Sequence, residues 1–200
     1  MIGHVPPRGN GAEDLLSLRV ARISHVFANA VREILETRIL RECAPAPLSL
    51  PQVHLLKLIE MNGGARVGEA AGFLGVSAPA ASKNVDKLAR LGLLVRSTPE
   101  RDRRSIDLRI TDEGREFLRL YRERRVAGLG PVLGYLTDQE RVELASLLER
   151  FTALLLRGID GNGKPCLRCA ALVAENCPFE EEAGPCPYQR GRRGPSDSGG

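Results

Sequence analysis

The stretch from Ser77 to Gly92 most strongly constrains the fold, because it encodes one helix with an apolar and a polar face. The Ser77 hydroxyl can accept a hydrogen bond from the free amides of a helix start, and Pro79 falls in the first turn, where a missing N–H costs nothing. Small and aliphatic residues recur at helical spacing and are predicted to face a core: Ala81, Val85 and Leu88. The opposite face is therefore small and polar near its start, then basic.

Another short helix is predicted just before this one, from about Gly68 to Leu74, with Gly75 in the turn between them. A hairpin is predicted directly after it, because Gly92 ends the helix and alternating apolar residues up to Ile110 mark two strands. Arginines cluster in the loop of this hairpin: Arg101, Arg103 and Arg104. A helix with a small, polar start can enter the major groove of DNA, and arginines on a projecting hairpin suit the narrow minor groove. The order of elements predicts a winged helix-turn-helix.

Long amphipathic helices are predicted on both sides of this unit, over residues 13–41 and 137–157. Their apolar stripes are too wide to be covered within one copy of the chain, which predicts a twofold dimer. A further helix is predicted from Thr111 to about Ala127, before the breakers between Gly128 and Pro131. The predicted fold class is mainly α, with a small β-hairpin wing and long N- and C-terminal dimerisation helices.

Helix starts and domain bounds complete this prediction. Capping boxes are expected at Ser49 with Gln52 and at Thr137 with Glu140, and Thr111 is expected to cap the helix after the hairpin. The predicted parts are a flexible N-terminus (1–12), a winged helix domain (13–158, its DNA-binding part about 49–111), a cysteine-containing extension (159–190) and a disordered tail (191–200).

The segment LSLPQVHLLKLIEMNGGARVGEAAGFLGVSAPAASKNVDKLARLGLLVRSTPERDRRSIDLRITDEGREFL resembles the DNA-binding core of the MarR family of transcriptional regulators. The specific part is the stretch GLLVRSTPERDRRSIDLRITDEG, together with its distance from the helix that begins at Ser77. The likeness extends more loosely from about Glu13 to Arg157. It implies a homodimer that binds double-stranded DNA at an inverted repeat, more often as a repressor than as an activator.

The resemblance also implies roles for individual residues. Residues matching the helix from Ser77 would insert into the major groove, and Asp102 with Arg104 would shape the wing. The candidate DNA-binding residues are Ser77, Ala78, Pro79, Ala80, Lys83, Asn84, Lys87, Arg101, Asp102, Arg103 and Arg104. A small-molecule effector pocket is implied where the dimerisation helices meet the DNA-binding part, near His25, His54 and Arg22.

A cysteine-rich stretch near the C-terminus departs from the family pattern. It contains four of the five cysteines, in the spacing C-x2-C-x7-C-x8-C: Cys166, Cys169, Cys177 and Cys186. In a reducing compartment such clustering usually binds metal, because disulfides are rare there and thiolates are free to act as ligands. Four thiolates satisfy tetrahedral zinc and a four-cysteine iron–sulfur cluster equally well.

The kind of metal is left open by this spacing. A zinc ribbon usually has two C-x2-C pairs, whereas here only Cys166 and Cys169 form one. Cys177 and Cys186 are each followed by proline, as in some ferredoxin sequences, which slightly favours iron–sulfur over zinc. A metal-free redox switch between Cys166 and Cys169 is a third interpretation. The extension is predicted either to sense a metal or redox state or only to stabilise a short segment. The isolated Cys43 is interpreted as a small apolar residue.

Composition excludes several other classes of protein. The excess of 29 Lys and Arg over 25 Asp and Glu gives only +4, so the placement of charge carries the prediction of nucleic-acid binding. Aromatic residues make up 4%, which argues against a stacking platform for single strands. No apolar run approaches the roughly 20 residues of a membrane span and no signal peptide is recognisable, so a cytoplasmic protein without a membrane partner is expected.

No arrangement of nucleophile, base or paired carboxylates stands out, so the chain is not expected to be an enzyme. Two alternatives use the winged helix only as a scaffold. In one, the cysteines make a redox or iron–sulfur protein, although no nucleotide fingerprint accompanies them. In the other, the chain is a protein-interaction module, which the small surface at Ala78, Pro79 and Ala80 favours and the arginine-rich wing disfavours.

Overall fold

The computed structural model describes residues 11–97, 107–158 and Tyr188. The helices in this part of the chain are α1 Gly11–Ala30, α2 Ile39–Cys43, α3 Leu50–Asn62, α4 Val67–Leu74, α5 Ala78–Arg90, α6 Asp112–Leu133 and α7 Asp138–Gly158. The strands are β1 Ala65–Arg66, β2 Leu94–Ser97 and β3 Asp107–Ile110. A mainly helical fold with a small β-hairpin is confirmed. No described helix combines the length and apolarity that a membrane crossing requires.

The long N-terminal helix is confirmed, with one local difference. A helical run extends from Gly11 to Cys43, but its part Val31–Arg38 is a π-helix, in which amides bond five residues back. Contacts with α6 accompany this wider turn. Tyr121 donates a hydrogen bond to the Glu36 carbonyl at 3.3 Å, and Arg125 forms an ion pair with the Glu36 side chain. These contacts depend on distant sequence, so the helical period alone could not predict the π-helix.

The strands form an antiparallel sheet in the order β1-β3-β2. In the hairpin, Leu94 pairs with Ile110 and Ser97 with Asp107, which places β2 and β3 in the predicted relation. The edge strand β1 pairs Ala65 with Leu108 and was not predicted, since two residues are too few for a periodic signal.

The core lies between α3, α5, α6 and the sheet. Seven of the 13 residues of α3 are buried, and one face each of α5 and α6 closes on it. The largest fully buried side chains are Tyr121, Phe73, Leu40, Leu55, Leu56, Ile59, Leu88, Leu94, Leu108, Leu118, Val53 and Val85. The predicted inner face of α5 is confirmed, because Ala81, Val85 and Leu88 are all 0% exposed.

The predicted helix caps are confirmed by their hydrogen bonds. The Ser49 amide donates to Gln52 Oε1 at 3.0 Å, and the Thr137 amide donates to Glu140 Oε2 at 2.8 Å. The remaining caps are simpler: the Ala80 amide donates to Ser77 Oγ at 3.4 Å and the Gly114 amide to Thr111 Oγ1 at 3.0 Å. Local sequence therefore determines where these helices begin.

The predicted end of the helix after the wing, near Ala127, is wrong. Helix α6 continues through Pro131 to Leu133, although proline supplies no amide for the Ala127 carbonyl. Packing against the N-terminal helix accounts for the extension. A Cβ at Gly128 would lie 3.2 Å from Ile39 Cδ1, so the two helices are in close contact here and tertiary packing overrides the local breakers.

Gly114 generates a prediction about stability. A Cβ at this position would lie 2.7 Å from Ile110 Cγ1 and would collide with the Leu93 carbonyl oxygen, which belongs to rigid backbone. We expect Gly114→Ala to lower the free energy of unfolding by about 3 kcal/mol or more, measured by urea unfolding. Gly68→Ala is the control, because a Cβ at Gly68 would meet nothing within 4 Å. It should be neutral or stabilising by up to about 1 kcal/mol, and equal losses in both variants would contradict this packing.

Candidate nucleic-acid interface

Helices α4 and α5 form a helix-turn-helix whose turn is fixed by the backbone. Gly75 ends α4 with a φ of 66°, a left-handed conformation that favours glycine. The next amide, from Val76, donates to the Ala71 carbonyl at 3.1 Å and closes the turn. Phe73 on α4 and Val85 on α5 are both buried in the shared core. The angle between the helices is thus set by packing.

The outer face of α5 is open. The predicted residues of its first turn are exposed at Ser77, Ala78 and Pro79, and Lys83 is exposed one turn farther on. Ala80, Asn84 and Lys87 are half-buried. The structure therefore brings the predicted residues of α5 onto one surface, with small side chains at the positive end of the helix dipole and lysines beyond them.

Asn84 lies in a hydrogen-bond chain that links α5 to α3. Its Oδ1 accepts from Gln52 Nε2 at 3.1 Å, and its Nδ2 donates to the Ala80 carbonyl at 3.1 Å. Gln52 is itself 6% exposed, and its Oε1 accepts from the Ser49 amide. The capping box of α3 thus holds the side chain of Asn84, and this amide can donate a further hydrogen bond only through its second Nδ2 proton.

Two basic side chains near the end of α5 also have protein partners. Lys87 Nζ donates to the Pro47 carbonyl, in the loop before α3. On β2, Arg96 forms an ion pair with Asp86 of α5 at 2.8 Å. This pair connects the hairpin to α5, and it is partly exposed, so its contribution to stability is small. Sequence analysis did not identify Asp86 and Arg96 as partners, because they lie on different elements and no local pattern connects them.

The hairpin leads to the predicted arginines. Val95, Arg96 and Ser97 are exposed along β2, and the last described pair of the hairpin is Ser97 with Asp107. The loop between these two residues contains the predicted wing residues, Arg101, Asp102, Arg103 and Arg104, which lie outside the described residues. Their assignment to the wing remains a prediction from sequence.

A cluster of charged side chains is buried where α3, α6 and the π-helix meet. Lys57 is 3% and Arg125 is 9% exposed, and Arg125 pairs with Glu36 at 3.2 Å. Both cations lie over the Tyr121 ring, with Lys57 Nζ 5.2 Å and Arg125 Cζ 5.6 Å from its centroid. Among the described residues, Arg125 Nε has no hydrogen-bond partner. The junction therefore buries two basic side chains, one of which is paired with Glu36.

Burial changes the protonation of two groups on α3. Burial, with the positive Arg125 nearby, lowers the pKa of Lys57 to about 7. Burial, aided by Lys57 and Arg125, lowers the pKa of His54 to about 4. His25 and Arg22 are exposed on α1, where His25 Nε2 lies 2.9 Å from Asn29 Nδ2. An effector pocket near His54, His25 and Arg22 remains a prediction.

The arginines of α6 have structural partners. Arg119 pairs with Glu116 and Glu123 on its own helix, and Arg122 pairs with Glu60 of α3 at 3.1 Å.

The four predicted metal ligands, Cys166, Cys169, Cys177 and Cys186, lie outside the described residues. Within the described part, no group of three or more His, Cys, Asp or Glu side chains could hold a metal ion. Cys43 is half-buried against the core, where burial raises the pKa of its thiol.

This arrangement of helices and hairpin defines a winged helix-turn-helix protein. Residues 46–105 match the family model described as MarR family. The chain is 28% identical over 136 residues to the HTH-type transcriptional repressor MdtR of Bacillus subtilis (strain 168), a match that covers 68% of this chain and 84% of MdtR. The winged helix of this chain is therefore similar to the MarR family of transcriptional regulators.

Solved structures have the same fold. The YusO protein from Bacillus subtilis superposes with a TM-score of 0.60 at 23% identity, covering 70% of this chain and 96% of YusO. FabT from Streptococcus pneumoniae, solved in complex with DNA, has a TM-score of 0.55 at 19% identity and covers 68% of this chain and 96% of its own. These likenesses establish the winged helix fold.

The lowered pKa of Lys57 generates a prediction about pH. Between about pH 7 and 10.5 the unfolded chain binds a proton at Lys57 that the folded chain does not, so this group makes stability rise with pH across that window. We expect Lys57→Met to remove this part of the rise in the free energy of unfolding, measured by urea unfolding at about pH 7 and about pH 10. The exposed Lys83→Met is the control and should retain the rise. An unchanged slope in Lys57→Met would contradict the burial of a titrating lysine.

Proposed function

We propose that this chain is a homodimeric transcriptional repressor that binds double-stranded DNA at an inverted-repeat operator. The observation that carries the proposal is the outer face of α5, which stays open and is small, polar and basic while its inner face is buried. A helix of this kind can approach base edges in the major groove closely, since Ala78 and Pro79 keep its start narrow. The family, the repressor MdtR and the DNA complex of FabT support the same function.

The two kinds of groove contact have different tasks in this proposal. Lys83 and Asn84 read bases or position the helix, and Lys87 lies nearer the phosphates at the far end of α5. Arg101, Arg103 and Arg104 enter the adjacent minor groove, and Asp102 orients them. The ion pair between Arg96 and Asp86 links the hairpin to α5, so both kinds of contact would be made by connected elements.

A second copy of the chain is proposed to cover the apolar faces of the two terminal helices. Exposed apolar residues are concentrated there: Leu15, Leu16, Leu18, Ile23, Val26 and Phe27 on α1, and Val142, Leu144, Leu147, Leu148, Phe151, Leu154 and Leu155 on α7. Apolar area on this scale is unusual for a soluble monomer. A twofold dimer would present two α5 helices to successive major grooves if they lie about 34 Å apart.

The cysteine segment is proposed to bind a metal, with iron–sulfur slightly preferred to zinc. Cys166, Cys169, Cys177 and Cys186 supply the four thiolates that either group requires. Ligation would order a segment that is too short to have a core of its own. In this proposal the metal or redox state of the segment modulates DNA binding, and a small-molecule effector at the junction near His54 is a separate input.

The reading surface generates a prediction for DNA affinity. We expect Lys83→Ala and Arg103→Ala each to weaken binding to the chain's own upstream DNA by about 1 to 3 kcal/mol where a base contact is lost. Where only a phosphate contact is lost, the log–log slope against salt should fall by about 0.9. Anisotropy titrations at several salt concentrations measure both quantities.

Arg119→Ala is the matched control for these substitutions. It removes the same charge from an exposed helix surface, where Arg119 pairs only with Glu116 and Glu123 among the described residues. Its DNA affinity and salt slope should stay close to those of the parent chain. If all three variants bind equally well, α5 and the hairpin are not the reading surface.

The dimer proposal predicts a change in mass. Phe151→Glu places a charge in the apolar face of α7, which should convert the dimer into monomer in sedimentation equilibrium and abolish cooperative binding to the inverted repeat. Val126→Glu is the control, because Val126 is an exposed apolar residue of α6 and not of the two terminal helices that form the proposed interface. It should leave the dimer intact. A monomeric parent chain at micromolar concentration would overturn the proposal.

A further inference from the structure

Tyr188 lies against the helix-turn-helix, where its hydrogen-bond partners are 116 and 126 positions earlier in the chain. Its ring packs edge-to-face on Phe73 of α4, with 4.9 Å between centroids and planes inclined by 79°. Its hydroxyl donates to the Gly72 carbonyl at 3.3 Å, and its own carbonyl accepts from Asn62 Nδ2 at 2.7 Å. Ring, hydroxyl and main chain are therefore all held by one surface.

This surface is formed by the end of α3 and by α4. Asn62 is the last residue of α3, and its Nδ2 also donates to the Leu58 carbonyl at 3.1 Å, so its amide is oriented to donate to an incoming main chain. Phe73 is 1% exposed and belongs to the core that also buries Val85 of α5. The Tyr188 ring thus packs on Phe73, the side chain that positions α4 against α5. We call α4 and α5 the reading unit.

The covalent chain connects this contact to the cysteine segment. Residues 159–187 join the end of α7 to Tyr188, and the last cysteine, Cys186, precedes Tyr188 by two positions. Two residues of fully extended chain span at most about 7 Å between Cα atoms. Whatever orders Cys186 therefore restricts Tyr188 as well, which reduces the entropy lost when the tyrosine docks.

We propose that Tyr188 is a docking residue, through which the C-terminal segment folds back onto α4 and stabilises the position of the reading unit. The occupant of the α3–α4 surface is this segment of the chain itself, recognised by an aromatic ring with a donor hydroxyl and by a main-chain carbonyl. By linkage, metal binding next to Tyr188 favours docking, and docking favours metal binding to the same degree. The docking of Tyr188 does not depend on a bound metal, whereas this linkage rests on the proposed cysteine site.

The absence of tryptophan from the chain permits a direct test of docking. Tyr188→Trp introduces a single indole, and Tyr135→Trp, at a tyrosine that is 92% exposed, provides the matched solvent-exposed reference. We expect the indole at position 188 to emit at shorter wavelength and to be quenched less by iodide than the reference. Identical spectra and quenching in the two full-length variants would overturn docking.

Hydrogen exchange tests docking without a new ring. Tyr188→Ala should raise amide exchange in peptides that cover α4, Tyr188→Phe should raise it less because the ring contact with Phe73 remains, and Tyr135→Ala should not change it. Equal exchange in all variants would contradict a stabilising contact. Tyr188→Ala should also lower the affinity for upstream DNA several-fold. An unchanged affinity in a parent chain that binds DNA would refute the effect on the reading unit, whereas a parent chain that does not bind refutes the proposed function.

The metal arm separates docking from the proposed cysteine site. Metal is assayed in the purified Tyr188→Trp chain, then removed with a chelator and restored with Zn²⁺, or with iron and sulfide if the assay finds an iron–sulfur cluster. Emission should shift to longer wavelength on removal and return on restoration. A spectrum that is unchanged while metal is lost would refute the linkage, and a chain that neither contains metal nor takes up Zn²⁺ would refute the cysteine site. A shift that occurs equally when all four cysteines are replaced by serine would also refute the linkage.

Discussion

The burial of one face of α5 is the constraint on which the rest of the structure depends. Ala81, Val85 and Leu88 have no exposed surface, so the rotation of this helix about its axis is fixed by the core. The hydrogen bond from Gln52 to Asn84 fixes it a second time, from the side of α3. Because the inner face is fully used, the opposite face must stay open. The chain thereby presents Lys83 and the narrow start of the helix to a partner.

Much of this arrangement could be predicted from local sequence, and the remainder depends on distant partners. Helical spacing identifies the inner face of α5, and side-chain oxygens such as those of Ser77 and Thr111 mark helix starts, because both signals lie within one or two turns. The partners Gln52 and Asn84 are 32 positions apart, and Glu36 and Arg125 are 89 apart. No local pattern connects such positions, so the hydrogen-bond chain, the π-helix and the continuation of α6 past Pro131 could not be predicted.

The two halves of the candidate site, α5 and the hairpin, also differ in how far local sequence predicts them. Its helical half follows from the period of α5, and the structure adds that Asn84 and Lys87 already have protein partners, which leaves Lys83 as the freest of the predicted side chains on this face. The hairpin half rests on the pairing of β2 with β3, whose last described pair is Ser97 with Asp107. The ion pair between Arg96 and Asp86 links the hairpin to α5, although it is partly exposed and therefore weak.

The junction where α3, α6 and the π-helix meet buries two basic side chains. Arg125 and Lys57 both lie over the Tyr121 ring, and Arg125 pairs with Glu36, although burying a charged group is costly. The ion pair between Arg125 and Glu36 contributes little stability compared with apolar packing. It tolerates few alternative geometries, because separating Arg125 from Glu36 leaves a buried charge uncompensated. If the terminal helices set the distance between two reading helices, a change in their angle must alter this junction, because Glu36 lies on the N-terminal helix and Arg125 on α6.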